Sequence, residues 1–372
     1  MIAAPRAALC LALLAGCGGG TPPTESTPHA TSSYLGADVS ALERIEQAGG
    51  VFRDAGQAGD AIAILAAHGV NTFRLRLFVN PNHDDVQVND LAYTIRMAVR
   101  VKAAHAKLLL DLHYSDTWAD PGHQVIPAAW AGLDLAALEQ RVETYTTSAV
   151  TALMQAGALP DIVQVGNEID GGMLWPLGQV TGSGADTAAQ WDRLTRLLKA
   201  GIRGVKDALV PGDSVRIMLH YSQGGSAGGT QWFFDHINAL GVSYDLIGLS
   251  YYPWWHGSLS ALQANLQATA QRYGKDILLA ETSYPWRAGG WEDMAPDRTA
   301  MIWAASSAGQ AQFLQDLAAI VAGVPGGRGV GVVWWYPETI VVPGLFGWGG
   351  GSLALFDADG NVLPAASGLG GR

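Results

Sequence analysis

From Tyr34 onward the chain repeats one pattern, a short apolar run followed by a longer stretch in which apolar residues return every three or four positions. The runs are YLGADVS (34–40), NTFRLRLF (71–78), KLLLDLHY (107–114), DIVQVGNEI (161–169), SVRIMLHYS (214–222), YDLIGLSYY (244–252), DILLAETSY (276–284) and GVGVVWWYPE (329–338), eight in all. Between them lie segments such as ALEQRVETYTTSAVTALMQAG and QWDRLTRLLKAGIRGVKDAL, whose period is that of an amphipathic helix. Strands separated by helices pair in parallel through crossovers, and eight such units predict an α/β fold, a (β/α)8 TIM barrel in a single domain over 34–372. The structural alternative, an open doubly wound sheet, normally carries G-x-G-x-x-G after its first strand, and GADVSALERIEQAGG has no such turn. After the eighth run only NVLPAASGLGGR remains to supply a closing helix.

The segment before Tyr34 reads differently. AALCLALLAG follows Arg6 and is too short to span a bilayer as a helix, so residues 1–16 are expected to be an export signal. LAGC, ending at Cys17, resembles a bacterial lipobox, which makes Cys17 the expected lipid anchor of an exported lipoprotein facing the periplasm or cell surface. Gly18 to Ser33 is Gly, Pro, Ser and Thr with little to bury, a flexible tether completing the 17–33 segment. Cys10 and Cys17 are the only cysteines, so the mature chain has neither a disulfide nor a catalytic thiol.

Two of the apolar runs end in a glutamate. Glu168 closes DIVQVGNE beside Asn167, and Glu281 closes DILLAE after four wholly apolar residues. Active sites of such barrels sit at the carboxyl ends of the strands, so both acids are candidates for one site, although 113 residues separate them in the chain. A pair of carboxylates facing one pocket is what glycoside hydrolysis uses. On the second and third runs, the period of two sets Arg74 with Arg76 and Asp111 with His113 on shared faces. A guanidinium near Glu281 would keep it ionised, and an apolar setting would keep Glu168 protonated. The structural alternative is an inward ion pair at the floor of the barrel.

GADVSALERIEQAGG, GVNTFRLRLFVNP, LLLDLHYSDTWADPGHQ, VQVGNEI, IGLSYYPWWHG and YGKDILLAETSYPW together resemble glycoside hydrolase family 53, the arabinogalactan endo-β-1,4-galactanases of clan A. The resemblance covers about Tyr34 to Pro364 and implies a retaining endo-hydrolase of β-1,4-galactan, with Glu168 as acid/base, Glu281 as nucleophile and Asn167 on the sugar 2-hydroxyl. It further implies Arg76, His113 and Tyr252 as supports within the site, beside Asp111, with Trp175, Trp254, Trp286 and Trp335 as stacking platforms. Two features depart from the family. Where its members usually read YWEP, this chain has WWYPE, so Tyr336 takes the glutamate's position and Glu338 follows two residues later. RAGGWEDMAPDRTA also replaces the Asp-rich loop of several bacterial relatives, with too few acids for the 6 to 8 oxygens that calcium usually takes (~6–8 ligands).

Other chemistries find less support. GGSAG at 224–228 matches G-x-S-x-G, but no histidine follows His256 to complete a triad after Ser226, and a loop is expected there. DADGN at 357–361 reads as a turn rather than a calcium loop, and no histidine spacing fits zinc. No metal and no cofactor are therefore expected. With 33 acidic against 22 basic residues and no basic run, nucleic acid is a poor partner, whereas 13 Trp suit a polysaccharide. The expected partners are a β-1,4-galactan chain and, through the lipid alone, a membrane; the protein is expected to act as a monomer. The competing readings are another clan A endo-glycanase, such as a cellulase or mannanase, and a non-catalytic sugar-binding lipoprotein.

Overall fold

The computed structural model describes Met1 and residues 34–368. Apart from Met1, the expected leader and tether, with Cys17, lie outside the described residues. Eight parallel strands close into a barrel: β1 (Tyr34–Asp38), β2 (Thr72–Leu77), β3 (Lys107–Leu112), β4 (Ile162–Val165), β5 (Arg216–Tyr221), β6 (Leu246–Tyr251), β7 (Asp276–Thr282) and β8 (Gly329–Trp335). Each pairs with its neighbour in sequence, and β1 pairs with both β2 and β8 to close the ring.

The crossover helices are α1 (Ala61–Ala67), α2 (Leu91–Ala103), α3 (Leu135–Gln155), α4 (Ala188–Ala208), α5 (Ala227–Ala239), α6 (Leu259–Tyr273) and α7 (Ser307–Ala322). Each begins at a short polar residue whose side chain accepts from the backbone N–H three positions on: Asp60, Asp90, Asp134, Thr187, Ser226, Ser258 and Ser306. That bond satisfies one of the otherwise unpaired N–H groups of the first turn, which is why these residue types mark helix starts. Ser226 is such a cap, its hydroxyl accepting from Gly229 N at 3.2 Å. The two glycines before it are there for close packing, since a Cβ on Gly225 would lie 1.7 Å from the His256 carbonyl oxygen and one on Gly224 2.4 Å from the Ser250 carbonyl oxygen. GGSAG is thus the start of α5 rather than the expected loop. The eighth helix, α8 (Ala365–Gly368), has four described residues and packs beside α7, the short closure that NVLPAASGLGGR foreshadows.

Two layers of apolar side chains hold the barrel. Leu109, Ile162, Met218, Leu246, Leu278 and Val333 fill its lower interior, and a larger cluster lies between strands and helices. Above the interior layer the inward positions turn polar: Asp38 stands opposite Arg74, Arg76 opposite Asp111, Asp111 opposite Gln164, and Ser250 opposite Glu281. Among the described residues no helix is long and apolar enough to cross a membrane.

The expected run 161–169 is strand only as far as Val165. Gly166 and Glu168 both have positive φ, 84° and 45°, and break the ladder. Asn167 and Glu168 therefore lie on the first turn beyond β4. A non-glycine residue in the left-handed region is uncommon and costs energy, and such residues gather at functional sites.

Candidate active site

At the carboxyl end of the barrel a groove of about 390 Å³ opens between the loops, lined by Arg74, Arg76, His113, Trp118, Asn167, Glu168, Tyr252, Trp255, Glu281, Trp335, Tyr336, Phe346 and Trp348. Glu168 and Glu281 meet there. Their nearest carboxylate oxygens, together with a ring nitrogen of His220, lie within 4.8 Å of one another. Burial raises the pKa of both acids, and the charge of Glu281 makes ionising Glu168 harder still.

Their surroundings separate them. Arg74 Nη1 lies 2.9 Å from Glu281 Oε1, and the Tyr252 hydroxyl donates to Glu281 Oε2 at 3.0 Å. Burial raises the Glu281 pKa to about 7 and the guanidinium opposes that rise, so of the two acids Glu281 ionises more readily. Glu168 Oε1 instead accepts from the Ser250 hydroxyl at 2.6 Å, and burial followed by the charge of Glu281 pushes its pKa well above the glutamate range. When the pair shares one proton, it resides on Glu168.

Arg74 organises this floor. Besides Glu281 it donates to Asp38 Oδ2 (2.9 Å), Asp111 Oδ2 (2.8 Å), Asn167 Oδ1 (2.7 Å) and Gln164 Oε1 (3.2 Å). Burial penalises the Asp111 carboxylate, but Arg74 and then His113 outweigh it and hold its pKa below the ordinary range. His113 Nδ1 accepts from Ala119 N at 3.0 Å, so Nε2 carries the hydrogen that faces Asp111 at 2.9 Å. Asn167 gives one amide hydrogen to the Ala119 carbonyl at 2.8 Å and is held by Arg74 at the edge of the groove.

Of the residues singled out in the sequence, the groove wall includes Asn167, Arg76, His113, Tyr252 and Trp335 with the two glutamates, while Asp111 lies beneath them. Three tryptophans are elsewhere. Trp254 is fully buried against Trp291 and Trp348. Trp175 lies over Gly171, where a Cβ would come within 2.8 Å of the indole, and its Nε1 donates to the Gly171 carbonyl at 2.9 Å. Trp286 Nε1 donates to the Gly351 carbonyl at 2.9 Å. The hairpin around Trp175 turns its ring onto its own loop, and Trp286 turns its ring onto the segment after β8. Trp118, Trp255 and Trp348 line the groove instead, and Trp255 is 46% exposed.

Trp254→Ala is accordingly expected to destabilise the fold by about 3–5 kcal/mol. Trp255→Ala should leave urea unfolding unchanged and weaken polysaccharide hydrolysis several-fold. A stable Trp254→Ala protein would contradict the packing described.

The strand-eight departure has a visible consequence. Tyr336, 1% exposed, forms part of the groove wall, and Glu338, fully buried, accepts from Ala41 N at 2.9 Å. Burial and then the charge of Asp38 raise the Glu338 pKa well above the usual range, keeping it neutral. Arg76 stacks on Trp118, with Cζ 4.2 Å from the ring centre, and bonds Asn89 at 3.0 Å. In the loop 287–300, Glu292 accepts from Gly289 N and Trp291 N, and Asp297 accepts from Thr299, so these acids cap local turns. Among the described residues the cluster with metal-ligand geometry is Glu168, His220 and Glu281, where Arg74 already supplies the positive charge.

Comparison with known proteins places this site in a family. The model of glycosyl hydrolase family 53 matches residues 34–369. The chain belongs to glycosyl hydrolase family 53. A probable arabinogalactan endo-β-1,4-galactanase A of Aspergillus terreus is 38% identical over 328 residues, covering 86% of this chain and 90% of that protein. A Niallia circulans protein described as "Uncharacterized protein in bgaB 5'region" is 42% identical over 347 residues, 90% of this chain and 93% of its own. The family 53 catalytic domain of Ignisphaera aggregans superposes with a TM-score of 0.81 at 34% identity, covering 92% of this chain and 97% of that one. The family 53 match spans all eight strands, so the glutamates after β4 and on β7 belong to its barrel.

Sequence reasoning named Arg74 beside Arg76 without choosing which guanidinium meets Glu281, and it missed Gln164, His220 and Ser250 as members of the site. Each is the lone polar inward residue, or one of two, on an otherwise apolar strand, and that signal was present in the period of two.

Proposed function

We propose that this protein is a retaining endo-β-1,4-galactanase, with Glu281 as nucleophile and Glu168 as acid/base. The observation that carries the reading is the approach of the two carboxylates to within 4.8 Å inside a family 53 barrel. Retaining enzymes hold their carboxyl groups about 5–5.5 Å apart, whereas inverting ones need about 6.5–9.5 Å to seat a water. Relatives named arabinogalactan endo-β-1,4-galactanase support the substrate.

In this scheme Glu281 attacks the anomeric carbon while Glu168 gives its proton to the departing glycosidic oxygen. Arg74 and Tyr252 hold the nucleophile ionised and aimed. Glu168, now a carboxylate, takes a proton from the water that cleaves the glycosyl-enzyme ester. Trp118, Trp255 and Trp335 offer faces for sugar rings along the groove.

Reducing-sugar release from β-1,4-galactan, glucomannan, xylan and carboxymethylcellulose tests the substrate, with galactan expected to be cut fastest. Faster cleavage of any other member of the panel would replace the galactanase assignment by a different glycanase. Proton NMR of the first product should show the β-anomer, and an α-product would overturn the retaining mechanism. Tethering of the enzyme through a lipid on Cys17 is part of the same proposal, supported by LAGC. Labelled palmitate should enter the wild type and not Cys17→Ala, and an unlabelled wild type would end it.

A further inference from the structure

Behind Glu168, on the side away from the substrate groove, a chain of hydrogen bonds runs into the barrel. Ser250 Oγ on β6 lies 2.6 Å from Glu168 Oε1, and His220 Nε2 on β5 lies 2.9 Å from Ser250 Oγ. His220 Nδ1 faces Gln164 Nε2 at 3.1 Å and Asn167 Oδ1 at 3.0 Å. Ser250, His220 and Gln164 are fully buried, so water does not complete these bonds.

The polarity of the far end is fixed by groups that cannot reverse. Arg74 has no acceptor, so Gln164 must present its oxygen to Arg74 Nε; of its two NH2 hydrogens one goes to Asp111 Oδ1 (2.6 Å), and the other is left for Asn167 Oδ1, the Gly166 carbonyl or His220 Nδ1. Asn167 is fixed likewise, with Oδ1 on Arg74 and Nδ2 on the Ala119 carbonyl. Burial and the neighbouring Arg74 charge keep His220 neutral, leaving one ring hydrogen to place.

Two patterns satisfy these groups. With the hydrogen on Nε2, Nδ1 accepts the second Gln164 hydrogen and faces Asn167 Oδ1 as a second acceptor rather than a donor, Nε2 donates to Ser250, and Ser250 must donate to Glu168 Oε1. The acid's proton then sits on Oε2, the oxygen left to the groove. With the hydrogen on Nδ1, bonded to Asn167, Ser250 donates to His220 instead and accepts from Glu168 Oε1–H, withdrawing the proton from the groove. Only the first pattern serves both steps of a retaining cycle, because Oε2 must first release a proton and then take one from water.

We propose that Ser250 and His220 are positioning residues that hold the Glu168 proton on its groove-facing oxygen, and that His220 does so as the Nε2–H tautomer. The proposal rests on the acid/base reading of Glu168. The charged and titratable groups around Glu168 are Glu281 on β7, Asp170 on its own turn, Arg74 on β2 and Tyr252 after β6. Around His220 they are Arg74, Asp111, His113 and His256, with the Glu168 and Glu281 carboxylates also within 4.8 Å of a ring nitrogen. None but Ser250 contacts Glu168 Oε1 among the bonds described.

The test compares wild type, Ser250→Ala and Ser250→Thr on galactan and on a dinitrophenyl β-galactoside, whose leaving group departs unprotonated. Ser250→Ala should lose roughly 10–100-fold in kcat on galactan with KM little changed, within the usual worth of positioned acid catalysis, and far less on the dinitrophenyl substrate. Its alkaline limb in kcat/KM should move to higher pH, because the carboxylate has lost a donor. Ser250→Thr, which keeps a hydroxyl, should recover most of the loss. Nitrogen-15 NMR of histidine-labelled wild type, with His220 assigned through His220→Gln, should show Nε2 protonated and Nδ1 bare. An Nδ1–H tautomer, equal losses on both substrates, or an unaffected Ser250→Ala would each overturn the proposal, and the NMR result stands even if Ser250→Ala fails to fold. Glu168→Gln separates the two ideas: full galactan activity in that variant would remove the acid/base reading itself, whereas an inactive Glu168→Gln beside a wild-type Ser250→Ala would remove only the role of Ser250.

Discussion

Glu281→Ala is expected to abolish turnover on galactan and on activated aryl galactosides alike, a loss on the order of 10⁵-fold, as removal of a covalent nucleophile produces elsewhere. Without the carboxylate no glycosyl-enzyme ester forms, and a better leaving group cannot compensate. Glu168→Ala should behave differently. On galactan, whose leaving group needs a proton, it should lose roughly 10²–10⁴-fold; on an aryl substrate that departs as its anion, the bond-breaking step should be nearly restored. Added azide should then speed the second step of Glu168→Ala and give a β-glycosyl azide, since a small anion attacks the ester without base assistance, whereas azide reacting in the cavity of Glu281→Ala by one displacement can give only the α-glycosyl azide. Single-turnover kinetics on both substrates measure the contrast. Equal losses for the two variants on both substrates would dissolve the division of roles drawn from Arg74 on one side and Ser250 on the other.

The barrel was legible because parallel closure imposes a simple pattern: strands buried on both faces read as apolar runs, and helices covering them read with a period near four. What periodicity could not locate was the end of β4, where positive φ at Gly166 and Glu168 cuts a continuous apolar run short. The glutamates stood out because each is a charge at the end of such a run. Apart from Trp335 on β8, the aromatic wall did not, because a tryptophan in the loop beyond a strand has no periodic constraint on its direction. Trp254 and Trp255 are neighbours in sequence, yet one is buried among Trp291 and Trp348 and the other is 46% exposed beside the groove. Strand eight is a similar case: Tyr336 and Glu338 share a parity, but Tyr336 has a φ of 59° just after β8, and the glutamate turns to Ala41 N in the segment after β1 instead of entering the groove.

Arg74 gives the second large effect, on stability as well as rate. Its guanidinium is 1% exposed and touches three buried carboxylates, Asp38, Asp111 and Glu281. Arg74→Met keeps much of the side-chain volume and removes the charge, leaving those acids to face one another without a cation. Breaking a buried ion pair on one side costs about 3–5 kcal/mol, because the stranded charge is worse off than it would be in water. The pH dependence carries the signature. In the wild type Arg74 outweighs burial and holds Asp111 below its ordinary pKa, so the stability it confers is present above that ordinary value and is lost as pH falls through the lowered one. In Arg74→Met burial acts on Asp111 and Glu281 without that opposing charge and their pKa values rise, so the folded variant binds protons more readily than its unfolded chain and gains stability as pH falls. The gap between wild type and variant should therefore be widest near pH 8 and narrow toward pH 5, as urea unfolding at the two pH values can measure. Activity should fall with it, and the acidic limb of the rate profile should move to higher pH, because Glu281 no longer has a cation to keep it ionised. Arg74→Lys places one ammonium where a planar fork bonded five groups, so it should lie between the two. A stability gap that stays constant from pH 5 to 8 would mean that Arg74 acts through packing, and that the floor of this site is not held together by charge.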